Sequence, residues 1–430
     1  MKNDIVRCRC IDMSVDGHGI ARADDLVIFV KGMIKDEVAD VKIIAEKKNY
    51  SFGIIDRLIE RSPYRVESDC PVSYKCGGCD YRYIDYDHQL VLKKEVLINT
   101  FKDFTVRDII KDDSPYHYRN KVQIPVREGK MGFYRKFSND IVEFDDCLIE
   151  SAKANSIIKD LKRLLTDKDL DKYFRHILIK HAQGSNEIML GYIVNTFDID
   201  LDEANKRIIE KYPEIRSIIL NLNNEKTNVI LGEKEKLLYG RDHIFDEYDG
   251  LKVKIALKSF YQVNHDMMLK LYAKIREMAD LKGDESLLDL YCGIGTITLY
   301  LARYVKQATG VEIVEKAIEN ARDNAKLNHM NNVSFICADA SRKMDEYIKD
   351  KDIVIVDPPR KGISKQLIDA FIELKTRKIV YVSCNPATLN RDLLLLKEHY
   401  DISEIQPLDM FPYTTHVENV CLLTYKTNLL

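Results

Sequence analysis

The chain has 430 residues, 45% of them hydrophobic and 31% charged, enough for two or three domains with sizeable cores. No apolar stretch reaches the roughly 18 residues of a membrane-spanning helix, and the N-terminus lacks a signal-peptide core, so a cytoplasmic protein with no membrane partner is expected. A net charge of −3 excludes a globally basic nucleic-acid binder, and ten cysteines in a reducing compartment point to metal or catalytic use before disulfides.

Residues 1–60 carry short alternating runs ("DLVIFV", "EVADVKIIAEK", "SFGIIDRLIE") separated by Gly17, Gly19, Gly32 and charged clusters, which predicts a small antiparallel barrel. This segment holds ten Lys/Arg against eleven Asp/Glu, so any nucleic-acid contact must use a one-sided patch. The turn-rich stretch 61–87 contains Cys70-x5-Cys76-x2-Cys79, and Cys147 follows in "DDCLIE". Three thiols within ten residues, with Gly77 and Gly78 allowing the sulfurs to converge, favour a metal site. Zinc and an iron–sulfur cluster both fit on ligand count. The spacing is not the C-x3-C-x2-C of radical enzymes.

Residues 88–104 have helical periodicity. Residues 115–137 hold Arg119, Lys121, Arg127, Lys130, Arg135 and Lys136 against the single Glu128, interleaved with Tyr116, Tyr118, Phe133, Tyr134 and Phe137. Cations beside aromatic faces suit single-stranded RNA; a solvated hairpin with its aromatics on a core fits equally. The remainder to residue 250 mixes strands ("HILIK", "EIMLGYIV", "SIILNL") with helices ("AKANSIIKDLKRLLTD", "DEANKRIIEKY"), an α+β region.

From about residue 265 helices and strands alternate, which predicts a parallel, doubly wound sheet. The stripe Met267, Met268, Leu271, Ile275 and Met278 reads as core packing of the first helix. In such sheets ligands bind beyond the carboxyl ends of the strands. The first end reads "DLYCGIGT", residues 289–296, with Tyr291 and the turn glycines Gly293 and Gly295; the second ends in Glu312, suited to both ribose hydroxyls; the third offers Asp339. A dinucleotide fingerprint needs a third glycine where this chain has Thr298, so S-adenosylmethionine is the favoured ligand over NAD. Cys292 and Cys337 read as small core residues.

The fourth strand ends in "VDPPR" (356–360) and the fifth at Cys384 in "YVSCNPATLN", which puts Asp357 near Cys384. A D-P-P turn alone is common to amino-group methyltransferases, and a lone cysteine at a strand end is by itself a core residue. Carbon 5 of a pyrimidine is a poor nucleophile until a thiolate adds to C6, and a base must later remove the C5 proton. Glu418 in "FPYTTHVENV", with His416 nearby, supplies a candidate base, although alone it reads as a surface carboxylate before the last strand.

"DLYCGIGTITL", "VDPPRKG", "YVSCNPATLNRDL", "HVENVCLL" and "SFYQVN" (259–264) together resemble the RNA uridine-5-methyltransferase family over essentially the whole chain. The resemblance implies Cys384 as nucleophile and Glu418 as base, with Gln262, Tyr291, Gly293, Glu312, Asp339 and Asp357 around S-adenosylmethionine or the target uracil. It implies a [4Fe–4S] cluster on Cys70, Cys76, Cys79 and Cys147, structural or RNA-placing in role. It implies an OB-like TRAM barrel at 1–60, a central α+β domain at 61–250 and a Rossmann-like methyltransferase domain at 251–430. Barrel and cluster together resemble the branch acting on 23S rRNA more than that acting on tRNA. An amino-group methyltransferase and a non-catalytic iron–sulfur RNA-binding protein are the alternatives.

Overall fold

The computed structural model describes residues 2–136, 138–167, 170–225, 227–342 and 344–427; Phe137 of the basic stretch lies outside them. Strands β1 (Ile5–Met13), β2 (His18–Ala23), β3 (Leu26–Lys31), β4 (Val38–Glu46) and β5 (Ser51–Glu60) close into a barrel in the order β1-β2-β3-β5-β4. Cys10, Ile28, Val30, Val41 and Ile43, at alternate positions, fill its interior. The barrel is not wholly antiparallel: β3 and β5 run parallel, Ile28 against Ser51. The chain crosses from β3 to the far side for β4, so β5 returns beside β3 in the same direction. Helix α1 (Tyr86–Thr100) begins where the Asp85 carboxylate accepts from the His88 amide at 3.1 Å. Its Leu92 packs on the barrel core and its Leu97, with Phe101, on the C-terminal core.

The central sheet joins β6 (Lys121–Arg127), β7 (Lys130–Tyr134), β8 (Ile141–Glu143), β9 (Phe174–Ala182), β10 (Glu187–Val194), β11 (Ile215–Leu222) and β12 (Lys234–Gly240) in the order β12-β11-β10-β9-β6-β7-β8. Helices α2 (Ala152–Asp167) and α3 (Asp202–Lys211) cover one face. Leu178, Met189 and Ile219 on the other face join the core of the following segment, which explains why β10 is an unbroken apolar run. Strands β13 (His243–Tyr248) and β14 (Leu251–Ala256) form a hairpin whose turn, Asp249–Gly250, spans the boundary expected at 250/251.

The C-terminal segment runs α4 (His265–Ala279), β15 (Ser286–Leu290), α5 (Thr296–Ala302), β16 (Gln307–Glu312), α6 (Glu315–Leu327), β17 (Val333–Cys337), α7 (Asp345–Ile348), β18 (Ile353–Val356), α8 (Lys365–Glu373), β19 (Lys378–Ser383), α9 (Pro386–Leu396), β20 (Tyr400–Ile402), β21 (Gln406–Leu408) and β22 (Glu418–Tyr425). The sheet order is β17-β16-β15-β18-β19-β22-β20, with β21 also on β22. Pairs from β17 to β19 are parallel and β22 is antiparallel to β19. The order reverses between β15 and β18, so a crevice opens there beyond the strand ends. The methionine stripe of α4 is buried as expected, with Met278 packed at its edge. Cys292 is buried, but Cys337 is exposed, because it ends the edge strand of the sheet. Among the described residues no helix is long and apolar enough to cross a membrane.

Candidate active site and cysteine cavity

The crevice at the sheet's switch point is a cavity of about 1280 Å³. Gln262, Tyr291, Gly293, Glu312, Asp339, Asp357, Cys384 and Glu418 all line it. Its floor is the turn after β15. Tyr291 takes a left-handed φ of +68°, unusual for a residue with a Cβ, and Gly293 and Gly295 follow at +55° and +83°. A Cβ on Gly295 would stand 2.8 Å from the Phe335 ring, so only glycine lets α5 start against β17. Behind the turn, Thr298 Oγ1 donates to the buried Asp289 carboxylate at 2.5 Å. The residue that breaks the glycine fingerprint therefore braces the strand end.

Glu312 is held by its own turn: Oε1 accepts from the amides of Ile313 (2.8 Å) and Val314 (3.0 Å), and Oε2 from Gly293 (3.3 Å). Asp339 accepts from the Ser341 amide and hydroxyl at 2.9 and 2.6 Å, and these bonds hold its carboxyl below the usual range. The Gln262 backbone carbonyl is fixed by Asn120 Nδ2 at 2.8 Å, leaving the side chain to the cavity.

At the other end of the cavity, β19 and β22 run antiparallel with Ser383 opposite Asn419. One step further, that register carries Cys384 and Glu418 to the same end of the sheet. Asn419 Nδ2 donates to the Ser383 carbonyl at 3.2 Å and locks the register. Asn385 caps α9 by accepting from the Ala387 amide (3.1 Å), Pro386 occupies the first turn, and Asn385 Nδ2 donates to the Arg360 carbonyl at 2.8 Å. The S-C-N-P and D-P-P-R motifs are thus tied together by one side chain.

Glu418 is not the surface carboxylate that its position suggested: it is 4% exposed. Burial, and then the charge of Asp357, push its pKa well above the ordinary value; burial raises Asp357 to about 7. The half-buried Cys384 thiol is pushed up to about 11 by burial and by the charges of Glu418 and Asp357, while Arg360 opposes them.

Several wall residues escaped the sequence reading. Arg342, Arg360, Lys361, Lys365 and Arg391 line the cavity, and Phe260 stands on it 69% exposed. The run "RKGISK" directly after D-P-P was a legible signal for three of these cations. The basic stretch 115–137 divides in two. Tyr118 is buried with its hydroxyl on the Pro412 carbonyl (3.0 Å) and Phe133 stacks on Phe144, whereas Tyr116 and Tyr134 are exposed.

Cys70, Cys76, Cys79 and Cys147 line a second cavity of about 300 Å³. Gly77 donates to the Tyr134 carbonyl at 3.0 Å, and a Cβ on it would stand 2.9 Å from that oxygen, so glycine lets the loop approach β7. The Gly78 amide lies 3.3 Å from Cys76 Sγ, and Asn155 brackets the Cys147 backbone at 3.1 and 2.9 Å. Burial, and then Glu150, push the Cys147 thiol up to about 12; burial and the neighbouring thiols raise Cys79, which Arg82 opposes. Among the described residues no group of three His, Cys, Asp or Glu side chains is arranged to hold a single metal ion.

A family profile described as tRNA (Uracil-5-)-methyltransferase matches residues 85–426. A Bacillus cereus protein named an uncharacterized RNA methyltransferase is 40% identical over 98% of this chain and 97% of its own. A Staphylococcus aureus protein of the same description is 38% identical over 99% of both. The crystal structure of Pyrococcus abyssi tRNA (uracil-54, C5)-methyltransferase in complex with S-adenosyl-L-homocysteine superimposes with a TM-score of 0.82 at 27% identity, covering 97% of this chain and 100% of that one. With the profile running from α1 through the last strand, the chain belongs to the tRNA (uracil-5-)-methyltransferase family and is an RNA methyltransferase.

Proposed function

We propose that the protein methylates C5 of a uridine in RNA, with Cys384 as nucleophile and Glu418 as base. The observation that carries this reading is the β19–β22 register, which sets a thiol and a buried carboxyl at one end of the cavity. S-adenosylmethionine, bound along the same cavity, supplies an electrophilic methyl group. Glu312 suits its ribose hydroxyls, with Gln262, Tyr291, Gly293 and Asp339 around it and Asp357 nearest the reacting end.

The Cys384 thiolate adds to C6 of the uracil, which makes C5 nucleophilic enough to take the methyl group. Glu418 then removes the C5 proton, and the C5–C6 double bond re-forms as the C6–S bond breaks. A carboxyl whose pKa is raised by burial is a stronger base than an exposed one, which suits this proton. The target base must leave its stack to reach Cys384.

RNA bearing 5-fluorouridine at the target tests the assignment, because fluorine cannot leave as a proton. A covalent adduct is expected with the wild-type chain and none with Cys384→Ala. An adduct on the alanine variant would remove Cys384 from the mechanism, and absence of any adduct would favour an amino-group methyltransferase or a non-catalytic RNA-binding protein. Glu418→Gln should accumulate the methylated adduct on ordinary uridine.

The cysteine cavity suits a [4Fe–4S] cluster: four thiols face one space, and the wall offers the Gly78 amide and the Arg82 guanidinium to a multiply charged anion. Its role would be structural, since the polar transfer needs no electrons. The barrel and the exposed aromatics Tyr116 and Tyr134 would place the RNA, the barrel as a TRAM-type module. We assign 23S rRNA as substrate and the cytoplasm as location, on the resemblance of a barrel- and cluster-bearing chain to the ribosomal branch. Transfer RNA is the second reading, favoured by the Pyrococcus abyssi enzyme, whose match over 97% of this chain extends into the barrel. Mapping 5-methyluridine in both RNAs from cells lacking the protein separates the two.

A further inference from the structure

Arg82 is 4% exposed, and neither of its terminal nitrogens has a hydrogen-bond partner. Its guanidinium lies 4.0 Å from the ring centroid of Tyr413 and 5.1 Å from that of Tyr116. Stacking uses the face of the guanidinium and leaves its edge N–H groups unsatisfied. Its ion pair is with Asp69 Oδ1 at 3.2 Å, a side chain 46% exposed whose other oxygen accepts from the Tyr116 hydroxyl at 2.9 Å.

Two other arginines define the contrast. Arg65 is forked onto the fully buried Glu37 carboxylate at 2.6 and 2.7 Å. Arg119, on the same cavity wall as Arg82, has the buried Glu150 carboxyl at 3.4 Å. Arg82 alone of these three lacks a buried acidic partner. What it faces is the space enclosed by Cys70, Cys76, Cys79 and Cys147. A buried cation with unfilled donors calls for an anion, and four cysteine thiolates around an iron–sulfur core would provide one.

We propose that Arg82 is the counter-cation of an anionic cluster held by these four cysteines, and that its stacking on Tyr413 ties that cluster to the segment leading to Glu418. This rests on the cluster reading above. The connection is continuous: the Tyr413 carbonyl accepts from the amides of Asp80 and Tyr81, next to Cys79, at 2.9 and 3.0 Å. Tyr413 also packs in one small core with Cys79, Cys147, Tyr118 and Ile149. A cation beside an anionic cluster stabilises the reduced, more negative form, so removing it lowers the reduction potential.

The test uses the full chain purified without oxygen, assayed for iron and acid-labile sulfide and titrated with dithionite while the visible absorbance is followed. Arg82→Met should lower the midpoint potential and speed cluster loss to a chelator several-fold, with Arg82→Lys intermediate. Asp69→Asn, which removes the exposed neighbouring carboxylate, should shift the potential upward, and it carries the test if Arg82→Met does not fold. Potentials and loss rates equal to wild type in all three variants would overturn the role of Arg82 and leave the cluster reading standing. A wild-type chain without iron or sulfide, even after reconstitution, would overturn both. Loss of the cluster from Arg82→Met and Arg82→Lys alike, with unchanged thermal unfolding, would also overturn the charge role.

Discussion

Cys384 sits where burial and neighbouring charge favour its neutral thiol. Burial and two neighbouring carboxyls raise its thiol to about 11, so only a small fraction is thiolate near neutrality. Alkylation of the free enzyme by iodoacetamide, followed on the tryptic peptide 379–391, should therefore accelerate about tenfold per pH unit from pH 7 to 10. A rate already level by pH 8 would mean an activated resting thiolate. The place of this residue at a strand end was legible in sequence because S-C-N-P is a local device, a cap and a tie compressed into four positions, whereas the nucleophile role came from the family resemblance. The burial of Glu418 was not, because it comes from β19, α4 and Asp357, none of them adjacent in sequence.

Elements carry these residues to one place by ending together. Alternating helix and strand made the C-terminal sheet readable, and each expected strand end lies on the cavity. Strands β6, β7 and β12 were harder to read, since edge and hairpin strands mix polar and apolar residues without a clean period. The turn at Gly295 tests whether strand ends organise cofactor binding. Gly295→Ala places a Cβ 2.8 Å from Phe335 in a backbone with φ of +83°, so the turn carrying Tyr291 and Gly293 must shift. Calorimetry with S-adenosylhomocysteine should show affinity weakened by about tenfold or more, about 1.4 kcal/mol. Gly283→Ala, with φ of +105° and nothing within 4 Å, controls for backbone strain alone and should bind as wild type. Equal affinity in both variants would remove this turn from the cofactor site.

Across the whole molecule, the segment from Asp409 to Glu418 is where the parts meet, and sequence could not show it because the partners lie more than 300 positions apart. Lys93 of α1 donates to Asp409 at 2.5 Å, with both side chains essentially inaccessible, and reaches toward the Phe411 and His416 carbonyls at 3.4 Å each. Tyr86 of the same helix donates to the second Asp409 oxygen at 2.9 Å. A buried pair of this kind adds little net stability compared with apolar replacements, but breaking one half strands a charge. Lys93→Met should therefore cost about 3–5 kcal/mol in urea unfolding, whereas Lys93→Met combined with Asp409→Leu should recover most of that loss. The recovered double variant then separates stability from placement. If the pair positions the loop, the double variant should remain folded yet form the 5-fluorouridine adduct more slowly than wild type, because the loop then loses the ammonium that links Asp409 to the Phe411 and His416 carbonyls. A single variant no less stable than the double one would show that Asp409 finds another partner and that the seam is held elsewhere.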